Sequence, residues 1–345
     1  MFLGVAGCEH TGSTPVDDAR WLFKNMGMPQ GAIEIENLSK EYPHGFLSLK
    51  KKKSLEDLTM HVEDGEVFGF LGPNGAGKST TIKLLMRLIF PTAGTARILG
   101  KSIDDVSMHG SIGYLPEQPY FYDYLTAHEL LDYFARFHGL TANDRAGRVP
   151  AMLKKVGLDT ARKIQLRKYS KGMLQRVGLA QAILHEPKVV VLDEPMSGLD
   201  PLGRREVRDI ILELKREGRT VLFSTHVLSD AEMLCDRVGV IVGGKLRGIG
   251  TPGELLDMKA QGMEILFELP GGAGNLPLLA NATRTGERYR VQLPETDLYA
   301  ALEALKTAGA RILSVAQIKP TLEEYFMHLV EADRAQASAV EVSGK

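Results

Sequence analysis

Two groups of residues have the types and spacing to do chemistry on a phosphate. The first is Gly72-Pro73-Asn74-Gly75-Ala76-Gly77-Lys78-Ser79-Thr80, in which every fixed position of G-x-x-x-x-G-K-[ST] is filled. Glycines at 75 and 77 let the backbone turn so that successive N–H groups face one anion, and a helix N-terminus would add positive potential. Lys78 can reach the outer phosphates of a nucleotide, and Ser79 can offer its hydroxyl oxygen to Mg²⁺. The second group is Asp193-Glu194, which follows Val189-Val190-Val191-Leu192 directly and precedes Pro195. Alone, two acids there would end a strand and open a turn. Beside a phosphate loop they acquire a use: Asp193 holds the metal, often through water, and Glu194 faces the terminal phosphate and polarises the attacking water. Adjacent strand residues point in different directions, so one position can serve the ion and the next the water.

Such a site needs elements that bring its parts together. Val67-Phe68-Gly69-Phe70-Leu71 reads as a short buried strand entering the glycine loop, and "TIKLLMRLIFPTAG" has apolar residues at helical spacing until Pro91. The loop therefore lies between a strand and a helix, the context that gives the motif its meaning. Upstream, residues 32–42 and 54–66 alternate like strands. Lys50-Lys51-Lys52-Lys53 falls between them and reads as a solvated loop, with contact to anionic lipid or a membrane partner as the functional alternative. From about 120 to 186 the pattern is almost wholly helical, as expected of an inserted all-α subdomain. Strand-like runs return at 188–192, 219–226 and 237–244, with helices between them at 203–217 and 229–235. That alternation predicts an α/β fold on a mainly parallel sheet.

The expected organisation has four parts. Residues 1–30 are a disordered tail or a start-site extension, and 31–255 are the phosphate-binding domain. Residues 258–332 form a small C-terminal α+β domain reading strand, strand, helix, strand, helix, followed by a mobile tail at 333–345. With 42 basic and 43 acidic residues the formal net charge is −1, which gives no whole-surface footprint for nucleic acid. Two cysteines in 345 residues argue against a disulfide framework and for a reducing compartment. No apolar run approaches the ~18 residues of a spanning helix.

At Tyr169-Ser170-Lys171-Gly172-Met173, about twenty residues before Asp193-Glu194, the sequence resembles the signature motif of ATP-binding cassette (ABC) ATPases, members of the phosphate-loop NTPase fold. "SGLD" at 197–200 resembles the D-loop of that family, His226 in "LFSTH" its switch histidine, Gln118 its Q-loop and Tyr42 the aromatic residue on which adenine stacks. The resemblance covers residues 32 to about 250, with the motifs in family order. It implies that ATP and Mg²⁺ are bound, with Gln118 sensing the metal and His226 bonding the γ-phosphate. Ser170 caps the helix that follows, and the resemblance implies that this helix end binds the γ-phosphate of ATP held by a second subunit. Two copies then close head-to-tail around two nucleotides, and Asp200 couples the two sites. The motif departs from the common L-S-G-G-Q at Tyr169, Lys171 and Met173 but keeps Ser170 and Gly172, and the Y-S-K-G-M form is familiar in ATPases that drive separate export permeases. "PTLEEYF" (320–326) resembles the ending of single-cassette exporter ATPases.

The implied function is the ATP-hydrolysing subunit of an ABC exporter: a homodimer on a separate integral membrane permease, peripheral on the cytoplasmic face of the cell membrane, with no nucleic-acid partner. The alternatives are a soluble ABC ATPase acting on ribosomes or nucleic acid, against which one cassette without a charged linker or coiled coil argues, and a regulatory subunit that binds ATP without turnover, against which Glu194 and His226 argue.

Overall fold

The computed structural model describes residues 31–44, 50–257, 262–269 and 282–318, with scattered positions between 324 and 333. The expected N-terminal tail, most of "PTLEEYF" and nearly all of the expected C-terminal tail lie outside these residues. The chain divides after Thr251 into two compact units.

In chain order the first unit begins with β1 (Ile33–His44), β2 (Lys50–Val62), β3 (Val67–Leu71), α1 (Lys78–Leu85), β4 (Ala93–Ile98), β5 (Lys101–Ser102) and β6 (Ile112–Leu115). Three helices follow: α2 (Ala127–Phe137), α3 (Ala142–Lys155) and α4 (Lys171–Ile183). The unit ends with β7 (Val189–Leu192), α5 (Pro201–Arg216), β8 (Thr220–Thr225), α6 (Leu228–Leu234), β9 (Arg237–Val242) and β10 (Lys245–Gly250).

Two sheets form. One is antiparallel, in the order β2-β1-β4-β5. The other has six strands in the order β10-β9-β3-β8-β7-β6; all are parallel except β10, which returns antiparallel to β9. Its inner strands are buried on both faces, which is why VFGFL and VVVL read as unbroken apolar runs. The two-residue period of a strand then divides their side chains between two cores. Val190 and Leu192 join Val221 and Phe223 in the core shared with α2 to α5, whereas Val189 and Val191 join Phe68, Phe70 and Leu222 in the core shared with α1 and the antiparallel sheet. Helices α2 and α3 start at capping boxes, Thr126 with Glu129 and Thr141 with Asp144, and their apolar faces (Leu130, Leu131, Val149, Leu153) meet Val177 of α4.

One expectation needs correction. Lys50–Lys53 is not a loop between strands: it is the beginning of β2, opposite His44 to Glu41 of β1. Lys51 pairs with Glu41 and Lys53 with Glu56, both at 3.2 Å. A strand with one exposed face tolerates charges there, so the polar run hid a β-ladder.

The second unit comprises α7 (Pro252–Asp257), β11 (Met263–Glu268), β12 (Ala282–Thr285), β13 (Arg288–Leu293), α8 (Leu298–Thr307) and β14 (Arg311–Gln317), with the antiparallel order β12-β13-β11-β14. Its core is Ile265, Phe267, Tyr289, Val291 and Leu293 against Ala301 and Leu305 of α8. Strand β12, of sequence ATRT, was missing from the sequence reading because it buries nothing fully.

Candidate functional site

Strand β3 sits between β9 and β8, and its C-terminal end feeds the glycine loop into α1. Gly77, the N-cap of α1, has φ +113, and a Cβ there would lie 2.8 Å from the carbonyl oxygen of Ser54. Only glycine meets both constraints. The loop lines a cavity of about 340 Å³ with Pro73, Asn74, Gly75, Gly77, Lys78, Ser79, Thr80, Glu194 and His226, joined by Ser54, Glu117 and Ser197. That volume lies at the small end of ligand pockets, which run to roughly 300–1,000 Å³.

Three strands converge on this cavity at their C-terminal ends, as open α/β sheets do at their ligand sites. Beyond the loop that follows β3, at the start of α1, stands Lys78, only 5% exposed; its Nζ donates to the carbonyls of Gly72 (2.7 Å) and Pro73 (3.3 Å) and pairs with Glu194 Oε1 at 3.2 Å. From β7 come Asp193 and Glu194, both buried. From β8 come Ser224 and, just beyond its end, His226, whose Nδ1 is 2.7 Å from Glu194 Oε2. Each Glu194 oxygen therefore faces a different basic group.

The Asp193 carboxylate has a separate set of partners. Ser79 Oγ donates to Asp193 Oδ1 at 3.1 Å, and the fully buried Ser224 Oγ donates to the same oxygen at 2.7 Å. Ser224 also accepts from the Glu194 backbone N–H at 2.9 Å, so one hydroxyl fixes both acids. Glu194 has φ +49, a left-handed conformation that costs a non-glycine residue about 1–3 kcal/mol and persists only where neighbours over-determine it. Ser224, Lys78 and His226 supply that restraint. Tyr114, on the adjacent β6, has its hydroxyl pushed up to about 12 by burial and by the Asp193 charge, so it stays a neutral donor.

Other predicted residues lie elsewhere. Tyr42 is on β1 opposite Lys52, with the Lys40 ammonium 5.1 Å from its ring centre, and it does not line the cavity. Gln118 is exposed and accepts a hydrogen bond from the Tyr120 hydroxyl, while its neighbour Glu117 does line the cavity. Gly72 and Ala76 belong to the loop but not to the lining. Ser170 caps α4, its Oγ accepting from Met173 N–H at 3.3 Å, with Gly172 in the first turn behind it. Asp200 caps α5 by accepting from Gly203 N–H at 2.9 Å. None of Ser170, Gly172 and Asp200 reaches the cavity of its own chain.

Sequence reasoning missed Ser54, Glu117, Ser197 and Ser224. Ser224 had a detectable signal, a polar residue directly after the apolar Val221-Leu222-Phe223 in a strand beside the one that leads to Asp193. Ser54 had none, because its place depends on the register between β1 and β2.

Comparison with known proteins places the chain. A family model described as ABC transporter matches residues 55–197. An ABC transporter ATP-binding protein of Synechocystis is 44% identical over 299 residues, spanning 86% of this chain and 83% of that protein. The daunorubicin resistance ATP-binding protein DrrA3 of Streptomyces coeruleorubidus is 35% identical over 319 residues, 88% of this chain and 99% of that one. Among solved structures, a bacterial ABC transporter cassette determined as a dimer matches with a TM-score of 0.59 and 25% identity, over 64% of this chain and 98% of that one. The chain belongs to the ABC transporter ATP-binding proteins, ATP-hydrolysing subunits that energise transport, and carries their phosphate-loop ATPase fold.

Proposed function

We propose that two copies of this chain bind ATP and Mg²⁺ between them and drive export through a separately encoded integral membrane permease, from the cytoplasmic face of the membrane and without a nucleic-acid partner. No helix among the described residues is long and apolar enough to cross a membrane. The observation that carries the reading is the set of contacts at one cavity: Lys78 and His226 on the two oxygens of Glu194 in its lining, with Ser79 and Ser224 on Asp193, which lies behind the lining. The resistance protein's name supports export, and the dimeric cassette supports assembly in pairs.

The residues fit Mg²⁺. Ser79 and Asp193 present hard oxygen donors 3.1 Å apart. No cluster of three or more His, Cys, Asp or Glu suited to a metal occurs among the described residues, so water and phosphate would complete the coordination, as Mg²⁺ prefers. When bound, the ion would neutralise charge on the phosphate oxygens.

In this reading Lys78 leaves the carbonyls of Gly72 and Pro73 for phosphate oxygens, and the loop N–H groups hold the phosphate chain. As Lys78 is drawn away, Glu194 Oε1 becomes free to accept a proton from water, while Oε2 keeps its bond to His226. The water oxygen bonds to the γ-phosphorus as the bridge to the β-phosphate breaks, with catalysis mainly through positioning and charge. His226 orients the carboxylate and the terminal phosphate. Gln118 would sense the metal when it is bound, Tyr42 would stack on adenine, and Ser170, Gly172 and Asp200 would act on the partner's nucleotide.

Glu194→Gln tests this. Phosphate release should fall roughly 10²- to 10⁴-fold, the scale of a lost positioned base, with ATP binding retained and an ATP-dependent dimer trapped in size-exclusion chromatography. Wild-type turnover in that variant removes Glu194 from its role, and a monomer at every ATP concentration refutes the pairing.

A further inference from the structure

Asp230 is a buried carboxylate for which the mechanism above has no use. It stands in the first turn of α6, four residues after His226, and is only 3% exposed. Val227, the N-cap of that helix, forms no side-chain cap, so Asp230 does not complete a capping box. Its Oδ2 is buried and receives no hydrogen bond. The charged groups that face it are Arg204 and Arg208 of α5, His226 and Glu194. Burial pushes its pKa up, and the two arginines only partly offset this. Arg204 Nη1 stops 3.9 Å from Oδ2, beyond the about 2.7–2.9 Å of a charge-assisted hydrogen bond. Arg208 Nη1 turns instead to Met233 Sδ at 2.7 Å. A buried acceptor left open in this way is rare in a folded protein and calls for a reason.

The reason lies in what the two helices carry. Arg204 belongs to the first turn of α5, and its N–H bonds to the carbonyl of Asp200, the cap of that helix, at 2.9 Å. The same turn turns Leu202 outward, with 65% of its surface exposed. Asp230 lies one turn beyond His226, whose Nδ1 is bonded to Glu194. The His226 ring is 43% exposed in the free chain, so packing alone does not fix it. The open pair therefore spans from the outward Asp200 segment to the residue that orients the base, and an advance of about 1 Å by the guanidinium would close it. We infer that Asp230 is a positioning residue for His226, an inference that rests on the paired reading above. A second copy pressing on Asp200 and Leu202 carries Arg204 onto the Asp230 carboxylate, and the closed pair fixes the start of α6 with His226 against Glu194. Hydrolysis is thereby tied to the meeting of two chains.

The test is steady-state phosphate release by the full chain carrying Asp230→Asn, Arg204→Gln or both, with denaturant unfolding of each in the absence of nucleotide. Asp230→Asn should lower kcat roughly ten- to hundredfold, the worth of one charge-assisted hydrogen bond, and leave KM for ATP unchanged. Its unfolding midpoint should stay level or rise, because the free chain loses a buried charge whose Oδ2 has no partner. Arg204→Gln should reproduce the loss in kcat, and the double variant should lose no more than either change alone. Unchanged turnover in Asp230→Asn would overturn the inference. So would a lower unfolding midpoint beside the loss in kcat, which would make the role merely structural, or losses that multiply in the double variant. Glu194→Gln, measured alongside, separates the two levels: if it turns over like the wild type, the reading of the cavity fails whatever Asp230 does.

Discussion

Replacing Ser224 by alanine removes one hydroxyl and leaves two buried groups short of a partner. The Ser224 side chain donates to Asp193 Oδ1 at 2.7 Å and accepts from Glu194 N–H at 2.9 Å, at a position with no solvent exposure. A hydrogen bond to a charged group is worth about 1.5–3 kcal/mol, and a buried donor left unsatisfied costs about 1–3 kcal/mol. Asp193 Oδ1 keeps the Ser79 hydroxyl at 3.1 Å, which places the first loss at the low end of its range. Partial relaxation around a small truncation trims the total, so Ser224→Ala should cost about 2–4 kcal/mol of stability. In a unit of this size each kcal/mol lowers Tm by roughly 2–4 °C, giving a fall of roughly 4–16 °C. The assay is denaturant unfolding without nucleotide, since ligand would add its own stabilisation. The chain divides after Thr251, so a second transition belonging to residues 252–345 should stay where it was. A loss below about 0.5 kcal/mol, the range of an ordinary surface change, would show that neither acid depends on this hydroxyl.

Further tests follow from other groups. His138 and His185 stack with ring centres 3.8 Å apart and planes 3° apart, and burial, then the His138 charge, lowers His185 to about 4. A folded pKa below the unfolded value of about 6.5 means that the unfolded chain takes up the proton first, so stability falls as pH drops from about 6.5 to 4 and levels off below. Discounted for the partial exposure of this ring, the loss is about 1–2 kcal/mol, and His185→Gln should flatten that part of a stability–pH curve; an unchanged slope would refute the assignment. Gly172→Ala should leave the free chain as stable or raise it by up to about 1 kcal/mol, as alanine favours a helix over glycine. The same change should lower ATPase turnover at least about tenfold, the equivalent of one lost transition-state contact of 1.4 kcal/mol. Unaltered turnover would mean that nothing approaches Gly172 from outside.

The loop and the acids were legible because each is local. Gly72 to Thr80 needs only a strand before it and a helix after it, and four buried apolar residues announce the strand that ends at Asp193. The α/β alternation was legible for the same reason, since inner strands covered on both faces become continuous apolar runs. Residues that owe their place to pairing between distant segments were not. Ser54 enters the cavity through a register slip between β1 and β2, and no window of sequence displays a register. Lys50–Lys53 misled because a strand with an exposed face can carry four lysines when its partner supplies Glu41 and the strand itself Glu56. Strand β12 escaped because its burial is slight, and hydrophobic pattern was the signal being read.

Ser170, Asp200 and Gly172 raise a question that one chain does not answer alone. The first two have reasons within their own chain: Ser170 caps α4 and Asp200 caps α5. Gly172 has none. Its nearest obstacle to a Cβ is Leu199 Cδ2 at 3.6 Å, an ordinary contact, and its backbone is helical. A glycine that neither φ nor crowding requires weakens its own helix for no local gain. A Cβ on Gly198, by contrast, would run into the end of the Lys171 side chain, so the first turn of α4 and the Ser197–Asp200 segment lie against each other. They form a single face whose smallest point is Gly172, set beside the free N–H groups of a helix start. Such a face suits an anion that arrives from outside the chain. The cavity around Lys78 and Glu194 is lined by the glycine loop, Glu194 and His226 of one chain, and neither Ser170 nor Gly172 of that chain reaches it. In the proposed pairing, a second copy closing head-to-tail would bring its own Ser170 face to this cavity, so that two identical chains would make two complete sites.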